Sequence, residues 1–285
     1  MKSYVLEPLE QYSLIDSGDC EKLEKFGQYI LSRPDPNAVW HKRSPSTWQK
    51  ADAIFHKDKF SGSSHWENKN VKEPWKFSLD KISMWLKLTP FKHTGIFPEQ
   101  ILNWQWFGKL IEQSPINCSV LNLFGYTGGA TLYAASKGAS VTHIDASKPS
   151  VAWAIENQKL SGLENAQIRW IVDDAKKFVA REIKRGHKYN AVILDPPSFG
   201  RDPKGKIFKF EKDVPDLLKM IKQILSPNPL FVLFNSYATG YSPTVIKNML
   251  SEILPPDKIE AEELEIREKD TDRHLPTGIF ARYEQ

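Results

Sequence analysis

From residue 120 onward the chain alternates two kinds of pattern. Short apolar runs bounded by glycine, proline and acidic residues predict strands at 120–124, 140–145, 167–172, 191–195 and 230–235. Between them, apolar positions three and four apart predict helices near 130–137, 149–160, 175–185, 213–225 and 244–253. Pro149 and Pro243 suit first helical turns, where a missing N–H costs nothing. Stretches 259–267 and 278–283 read as the last two strands. Strict alternation of strand and helix implies an α/β fold with a mostly parallel sheet.

Before residue 90 the pattern is different. Short strands are expected at 12–16, 38–40, 75–79 and 82–87, with loops between them and a Ser/Gly cluster at Ser61, Gly62, Ser63 and Ser64. A boundary near residue 90 separates a small β-rich region, 1–90, from a larger domain, 91–285, which a helix at 104–113 leads into. There is no internal repeat and no low-complexity tract.

Composition narrows the class. The 285 residues are 40% apolar, enough for a sizeable core. Cys20 and Cys118 make no disulfide framework and no metal-ligand spacing, so no metal is expected. The opening residues lack the apolar core of a signal peptide, and no apolar run approaches a membrane span. A reducing cytoplasm is the expected location. The net charge of +4 implies no nucleic acid by itself. It is uneven, however: between His41 and Lys92 eleven Lys/Arg face five Asp/Glu, a local +6, and seven of the nine tryptophans lie in the first 106 residues. Those tryptophans read as the core of a small domain or as a base-stacking array, and the lysines as solvated or as phosphate contacts.

The chemistry is written in two motifs. Residues 121–130 read LNLFGYTGGA, and Asp145 follows in VTHIDAS. Strand, glycine-rich turn, helix and a second strand ending in a carboxylate form a nucleoside cradle: glycines admit close backbone approach, and the acid accepts from a ribose diol. The spacing Gly125, Gly128, Gly129 departs from that of a dinucleotide fold and suits a cofactor without phosphates, which disfavours a nicotinamide enzyme. The second motif, YNAVILDPPSFGR at 189–201, ends an apolar run in Asp195, Pro196, Pro197 and Ser198. Two prolines stop the strand and hold the next backbone extended, leaving the Asp195 carboxylate and Pro196 carbonyl at the carboxyl edge of the sheet.

Together with HTGIFPEQ at 93–100 and VDDA at 172–175, these motifs resemble the class I S-adenosylmethionine-dependent methyltransferases. The likeness is to the branch containing the bacterial large-subunit ribosomal RNA cytosine-5 and guanine-N7 enzymes, and it covers about residues 90–285. It implies a Rossmann-like seven-stranded sheet with one antiparallel strand, a small mostly-β N-terminal elaboration, and S-adenosyl-L-methionine as cofactor. It assigns to the cofactor Asn122, Phe124, Gly125, Tyr126, Thr127, Gly128, Asp145, Ala146, Ser147, Asp174, Ala175 and Asp195. Thr94, Phe97 and Gln100 belong to a segment that the likeness places as a flap; without it, they read as a loop entering a helix. Asp173 and Asp174 read equally as helix caps, Ser147 as the cap of the helix after Asp145, and Asn157 as facing either cofactor or solvent. Cys118 reads as a small core residue.

Methyl transfer from a sulfonium needs alignment of an acceptor lone pair. Asp195 and Pro196 side by side suit a grip on an amino or imino nitrogen, with Pro197, Phe199 and Asn235 lining the pocket. Serine at 198, where related motifs carry an aromatic residue, argues against exocyclic adenine and leaves Phe199 as the stacking candidate. Cytosine-5 methylation needs a cysteine thiolate; the branch carries it at the end of the fifth strand, where this chain reads LFNSYA. The expectation is therefore methylation of a nitrogen of an RNA base, in ribosomal or other RNA. Two alternatives stand beside it: a small-molecule or protein methyltransferase, and a non-catalytic RNA-binding module keeping the fold. The oligomeric state is left open.

Overall fold

The computed structural model describes residues 4–57, 63–197, 199–201, 207–237 and 240–285, with the backbone alone at 199–201 and 207. The chain divides into two compact units, Met1–Glu99 with Leu264–Thr277, and Gln100–Glu263 with Gly278–Gln285.

The first unit is built of β1 (Tyr4–Leu6), β2 (Tyr12–Gly18), β3 (Glu21–Phe26), β4 (Tyr29–Pro34), β5 (Ala53–Lys57), β6 (Ser64–Asn68), β7 (Trp75–Leu79) and β8 (Ile82–Leu86). β2 to β6 form one sheet in chain order, and β7 pairs with β8. Residues 38–40, expected as a strand, lie outside every strand; Ala38 is instead held by a turn hydrogen bond from its N–H to the Asp35 carbonyl. Leu14, Leu23, Phe26, Leu31, Phe77 and Leu86 are fully buried. Trp48 and Trp75 join this core, while Trp40, Trp66 and Trp85 are half-buried.

The second unit contains α1 (Ile101–Gln113), β9 (Ser119–Leu123), α2 (Gly129–Ser136), β10 (Ser140–Asp145), α3 (Lys148–Leu160), β11 (Ile168–Val172), α4 (Ala175–Arg185), β12 (Ala191–Leu194), the β13 (Phe199–Arg201) and β14 (Ile207–Lys209) hairpin, α5 (Phe210–Ile224), β15 (Phe231–Ser236) and α6 (Pro243–Ser251). β16 (Ile259–Arg267) and β17 (His274–Glu284) contribute residues to both units. The sheet order is β16-β17-β15-β12-β9-β10-β11, with β1 added beside β16 to make eight strands. β9, β10, β11, β12 and β15 run parallel and β17 runs antiparallel to β15. Every residue of β12 is buried, as expected for a central strand with helices on both faces. Among the described residues no helix is long and apolar enough to cross a membrane.

Strand order reverses between β9 and β12. In open α/β sheets such a reversal sends the adjoining helices to opposite faces, and ligands sit at the carboxyl ends of the two strands, here β9 and β12. The fold brings both sequence motifs to this edge. Glu265 lies opposite Val5 of β1, which covers that part of β16.

Candidate active site

The chain leaves β9 at Leu123 and turns through Phe124–Gly128 into α2. Phe124, Tyr126 and Gly128 all take left-handed backbone angles, with φ of 60°, 50° and 88°. For the two aromatic residues this conformation costs of order 1 kcal/mol or more each, so the surroundings must hold it. Gly125 N–H donates to the Ile144 carbonyl, Gly128 N–H to the Gly125 carbonyl, and Tyr126 N–H to Asp145 Oδ2 at 2.9 Å. Asn157 Nδ2 donates to the Thr127 carbonyl at 2.9 Å. Asn157 is fully buried, which removes the solvent-facing reading.

Gly125 owes its identity to the protein beneath it. A Cβ there would lie 2.3 Å from the His143 ring. Asn122 Nδ2 donates to Thr131 Oγ1 at 2.8 Å, and the same hydroxyl shares a hydrogen bond with His143 Nδ1, 2.9 Å away, whose direction follows the imidazole tautomer. Nε2 of the same ring is buried and has no hydrogen-bond partner among the described residues. Burial lowers the His143 pKa to about 3, and Trp170 packs against the ring at 4.7 Å. The amide nitrogen of Asn122 is thus committed to the floor of the turn. Thr131 and this role of His143 escaped the sequence reading. Their signal was a histidine and a threonine inside apolar stretches, polar groups that burial obliges to find partners.

Asp145 ends β10 half-buried. Its Oδ1 accepts from Ser147 N–H at 2.8 Å and its Oδ2 from Tyr126 N–H. Burial raises its pKa, and those two bonds oppose the rise. Each oxygen keeps a further lone pair for a ligand hydroxyl. Ala146 and Ser147 are exposed, and Ser147 caps α3 through its bond from Ser150 N–H. Asp174 caps α4, Oδ1 accepting from Lys177 N–H at 2.9 Å, with Ala175 buried beside it. Asp173 is paired with Arg181.

Strand register aligns Leu123, Leu194 and Phe234 across β9, β12 and β15. The residues that follow, Phe124, Asp195 and Asn235, therefore lie side by side at the carboxyl edge. Asp195 and Pro197 are half-buried and Pro196 is buried. Ser198 and the Phe199 side chain lie outside the described residues, but the Phe199 backbone opens β13, and Phe208 of the partner strand β14 meets the Phe124 ring edge-on at 5.7 Å. Asn235 is buried, its Oδ1 accepting from Asn103 Nδ2 at 2.9 Å. Gln100, at the entry of α1, accepts from the same Nδ2 and donates to Tyr237 Oη. Thr94 and Phe97 belong to the first unit. There Thr94 is fully buried with no hydrogen-bond partner for its hydroxyl among the described residues, and the Phe97 ring lies 5.1 Å from that of His93. Cys118 precedes β9, at the end of the sheet opposite Asp195, and burial pushes its thiol pKa up to about 11.

Residues 43–253 match the family described as S-adenosylmethionine-dependent methyltransferase. A solved S-adenosylmethionine-dependent methyltransferase from Agrobacterium tumefaciens is 40% identical, with a TM-score of 0.91 over 98% of this chain and 93% of that one. A methyltransferase solved in complex with SAH shares the fold at 20% identity, with a TM-score of 0.74 over 96% of this chain and 75% of that one. The ribosomal RNA large subunit methyltransferase K/L of Shewanella oneidensis is 35% identical over 153 residues, 53% of this chain and 20% of that protein. The chain thus spans about a fifth of the length of the curated relatives it matches.

Proposed function

From the premise that this chain belongs to the S-adenosylmethionine-dependent methyltransferase family, we propose that it methylates a nitrogen of an RNA base at the carboxyl edge of β9, β12 and β15. The observation that carries the reading is the alignment of Phe124, Asp195 and Asn235 at the strand-order reversal, beside the turn that Asp145 ties down. The RNA substrate is supported by the likeness to the Shewanella ribosomal RNA methyltransferases.

The donor set fits the cofactor. Asp145 retains an acceptor lone pair on each oxygen for the two ribose hydroxyls, and Asp174 retains its second oxygen beside Ala175 for the adenine amino group. When bound, S-adenosylmethionine supplies a methyl group activated by the sulfonium. The protein's own part is alignment: the Asp195 carboxylate and the Pro196 carbonyl take hydrogen bonds from the acceptor, holding its nitrogen lone pair in line. Pro197 and Asn235 are assigned to the pocket wall, and Phe199 remains the stacking candidate of the sequence. Nitrogen is favoured over cytosine carbon 5 because no cysteine stands at the end of β15, where the chain reads Asn235 and Ser236. The proposed location is the cytoplasm, in keeping with two free cysteines.

One observation favours the second reading, a protein or small-molecule substrate. Three cations of the basic stretch are engaged within the first unit: Lys42 with Glu21, Arg43 with Glu268, and Lys92 on the Pro34 carbonyl. The test is transfer of a labelled methyl group from S-adenosylmethionine to transcribed 23S ribosomal RNA, with transfer RNA and protein extracts as competitors. Label in the ribosomal transcript is expected; label only in protein or small molecules would favour the second reading.

A further inference from the structure

Behind the acceptor edge runs a buried polar chain whose direction is chemically unambiguous. Arg282, on β17, is 4% exposed and lies between the rings of Phe280 and Trp106, at 4.2 and 4.9 Å. Its Nε and Nη2 both donate to Asn103 Oδ1, at 2.7 and 2.5 Å. A guanidinium has only donors. Turning the Asn103 amide would set an NH₂ group against those donors, so its oxygen must face Arg282. The Asn103 nitrogen then faces the other way, giving one N–H to Asn235 Oδ1 at 2.9 Å and one to Gln100 Oε1 at 2.8 Å. Gln100 passes the same polarity on, donating from Nε2 to Tyr237 Oη at 2.8 Å. Asn103 is fully buried, and Gln100 and Asn235 nearly so.

An isolated asparagine can offer either its carbonyl or its amide group. In Asn235 the carbonyl oxygen is turned toward Asn103, so the group turned away from Asn103 is the N–H donor. We propose that Arg282 and Asn103 are positioning residues that fix Asn235 as a hydrogen-bond donor in the acceptor pocket. This rests on the reading of that edge as the acceptor site. The pocket then pairs opposite polarities: the Asp195 carboxylate takes an N–H from the substrate, and Asn235 gives one to a carbonyl oxygen or ring nitrogen. The substrate face it fits has a donor beside an acceptor, as a base edge does, and a purely donating group such as a lysine ammonium does not complete it.

Asn103→Asp inverts the chain without emptying it. The new carboxylate still accepts from Arg282, forming an ion pair, but cannot donate, so Asn235 must turn its amide group inward and its carbonyl outward. Selective ¹⁵N-asparagine labelling of the full chain tests the polarity directly. In the wild type the Asn103 side-chain amide protons should exchange with solvent at least about tenfold more slowly than those of Asn235, since both are hydrogen-bonded. In Asn103→Asp the Asn235 amide should become the protected one, and in Arg282→Met the Asn103 protection should fall. On 23S transcript, Asn103→Asp should keep its melting temperature and cofactor affinity while kcat drops by roughly tenfold or more. Equal exchange at Asn103 and Asn235 in the wild type, or wild-type kcat in a folded Asn103→Asp, would overturn the proposal. If the wild type labels no RNA, the RNA reading fails, and the exchange measurement still decides the polarity.

Discussion

Each unit buries a polar network, and the two are built on opposite principles. In the first, charges close on one another. Glu24 is fully buried yet accepts from Tyr12 Oη at 2.8 Å and pairs with Arg33 at 2.6 Å, with Lys22 3.7 Å away. Asp16 accepts from Trp48 Nε1 and from the Ser17, Arg43 and Ser44 amides, while Glu268 accepts from Ser17 Oγ and pairs with Arg273. In the second unit, by contrast, the networks are mostly neutral and directional. Asn122–Thr131–His143 runs under the glycine turn and ends in an Nε2 with no hydrogen-bond partner among the described residues; Arg282–Asn103–Asn235 runs to the carboxyl end of β15. The closed network secures the fold, whereas the Arg282–Asn103–Asn235 chain sets the orientation of the Asn235 amide.

Breaking the closed network should give the largest effect, and on stability. Glu24→Gln leaves a buried Arg33 without its countercharge, a loss of about 3–5 kcal/mol, measured by urea unfolding. Burial alone would raise the Glu24 pKa, but Arg33 and Lys22 outweigh it and the pKa is lowered. The stabilisation is therefore present above the usual glutamate pKa and is lost as pH falls through the folded value. Cofactor affinity of the folded variant should be unchanged.

The open edge should respond in the other way. Asp145→Ala removes a charged acceptor for two hydroxyls and should weaken S-adenosylmethionine binding by roughly 2–4 kcal/mol in calorimetry, with modest change in melting temperature. Asp195→Ala should lower kcat by about 10²-fold or more at nearly constant cofactor affinity, because its role is alignment. A loss shared equally between binding and turnover would merge the two roles that distinguish Asp145 from Asp195.

Acid sharpens the comparison, since each unit holds a neutral histidine, half-buried His93 in the first and fully buried His143 in the second. Burial lowers both His93 and His143 to about 3, with Arg33, Lys92 and Lys22 adding to the effect at His93. The unfolded chain binds these protons near pH 6.5 and the folded chain does not, so stability falls as pH drops below about 6.5. At pH 5 each histidine should cost about 2 kcal/mol. His143→Asn should halve the pH dependence of unfolding between pH 7 and 5; an unaltered dependence would mean that His143 is protonated in the fold. The smallest effect is expected from the exposed lysines. Replacing Lys57, Lys72 and Lys76 by alanine should reduce the salt slope of RNA binding by roughly one for each phosphate no longer neutralised.

The second unit was legible in the sequence because its strands are apolar runs and its turns carry their own punctuation. Residues 140–145, 175–185 and 259–267 are the observed β10, α4 and β16 to the residue, and Pro149 and Pro243 stand in first helical turns. The first unit was less so. β3 reads EKLEKF, with charged residues that only a tertiary partner such as Arg33 makes compatible with a buried strand. Asp145 and Asp195 announced themselves through the glycine turn and the double proline. Asn103 and Arg282 did not, because their meaning lies in each other's donors and acceptors, 179 positions apart.

The central claim is that this edge delivers methyl groups to a nitrogen of an RNA base. Transcribed 23S ribosomal RNA incubated with the protein and S-adenosylmethionine bearing a trideuterated methyl group, then digested to nucleosides for mass spectrometry, tests it most directly. The account predicts a deuterated N-methyl nucleoside that is lost in Asp195→Ala. A label on cytosine carbon 5, or unlabelled RNA alongside labelled protein, would contradict it.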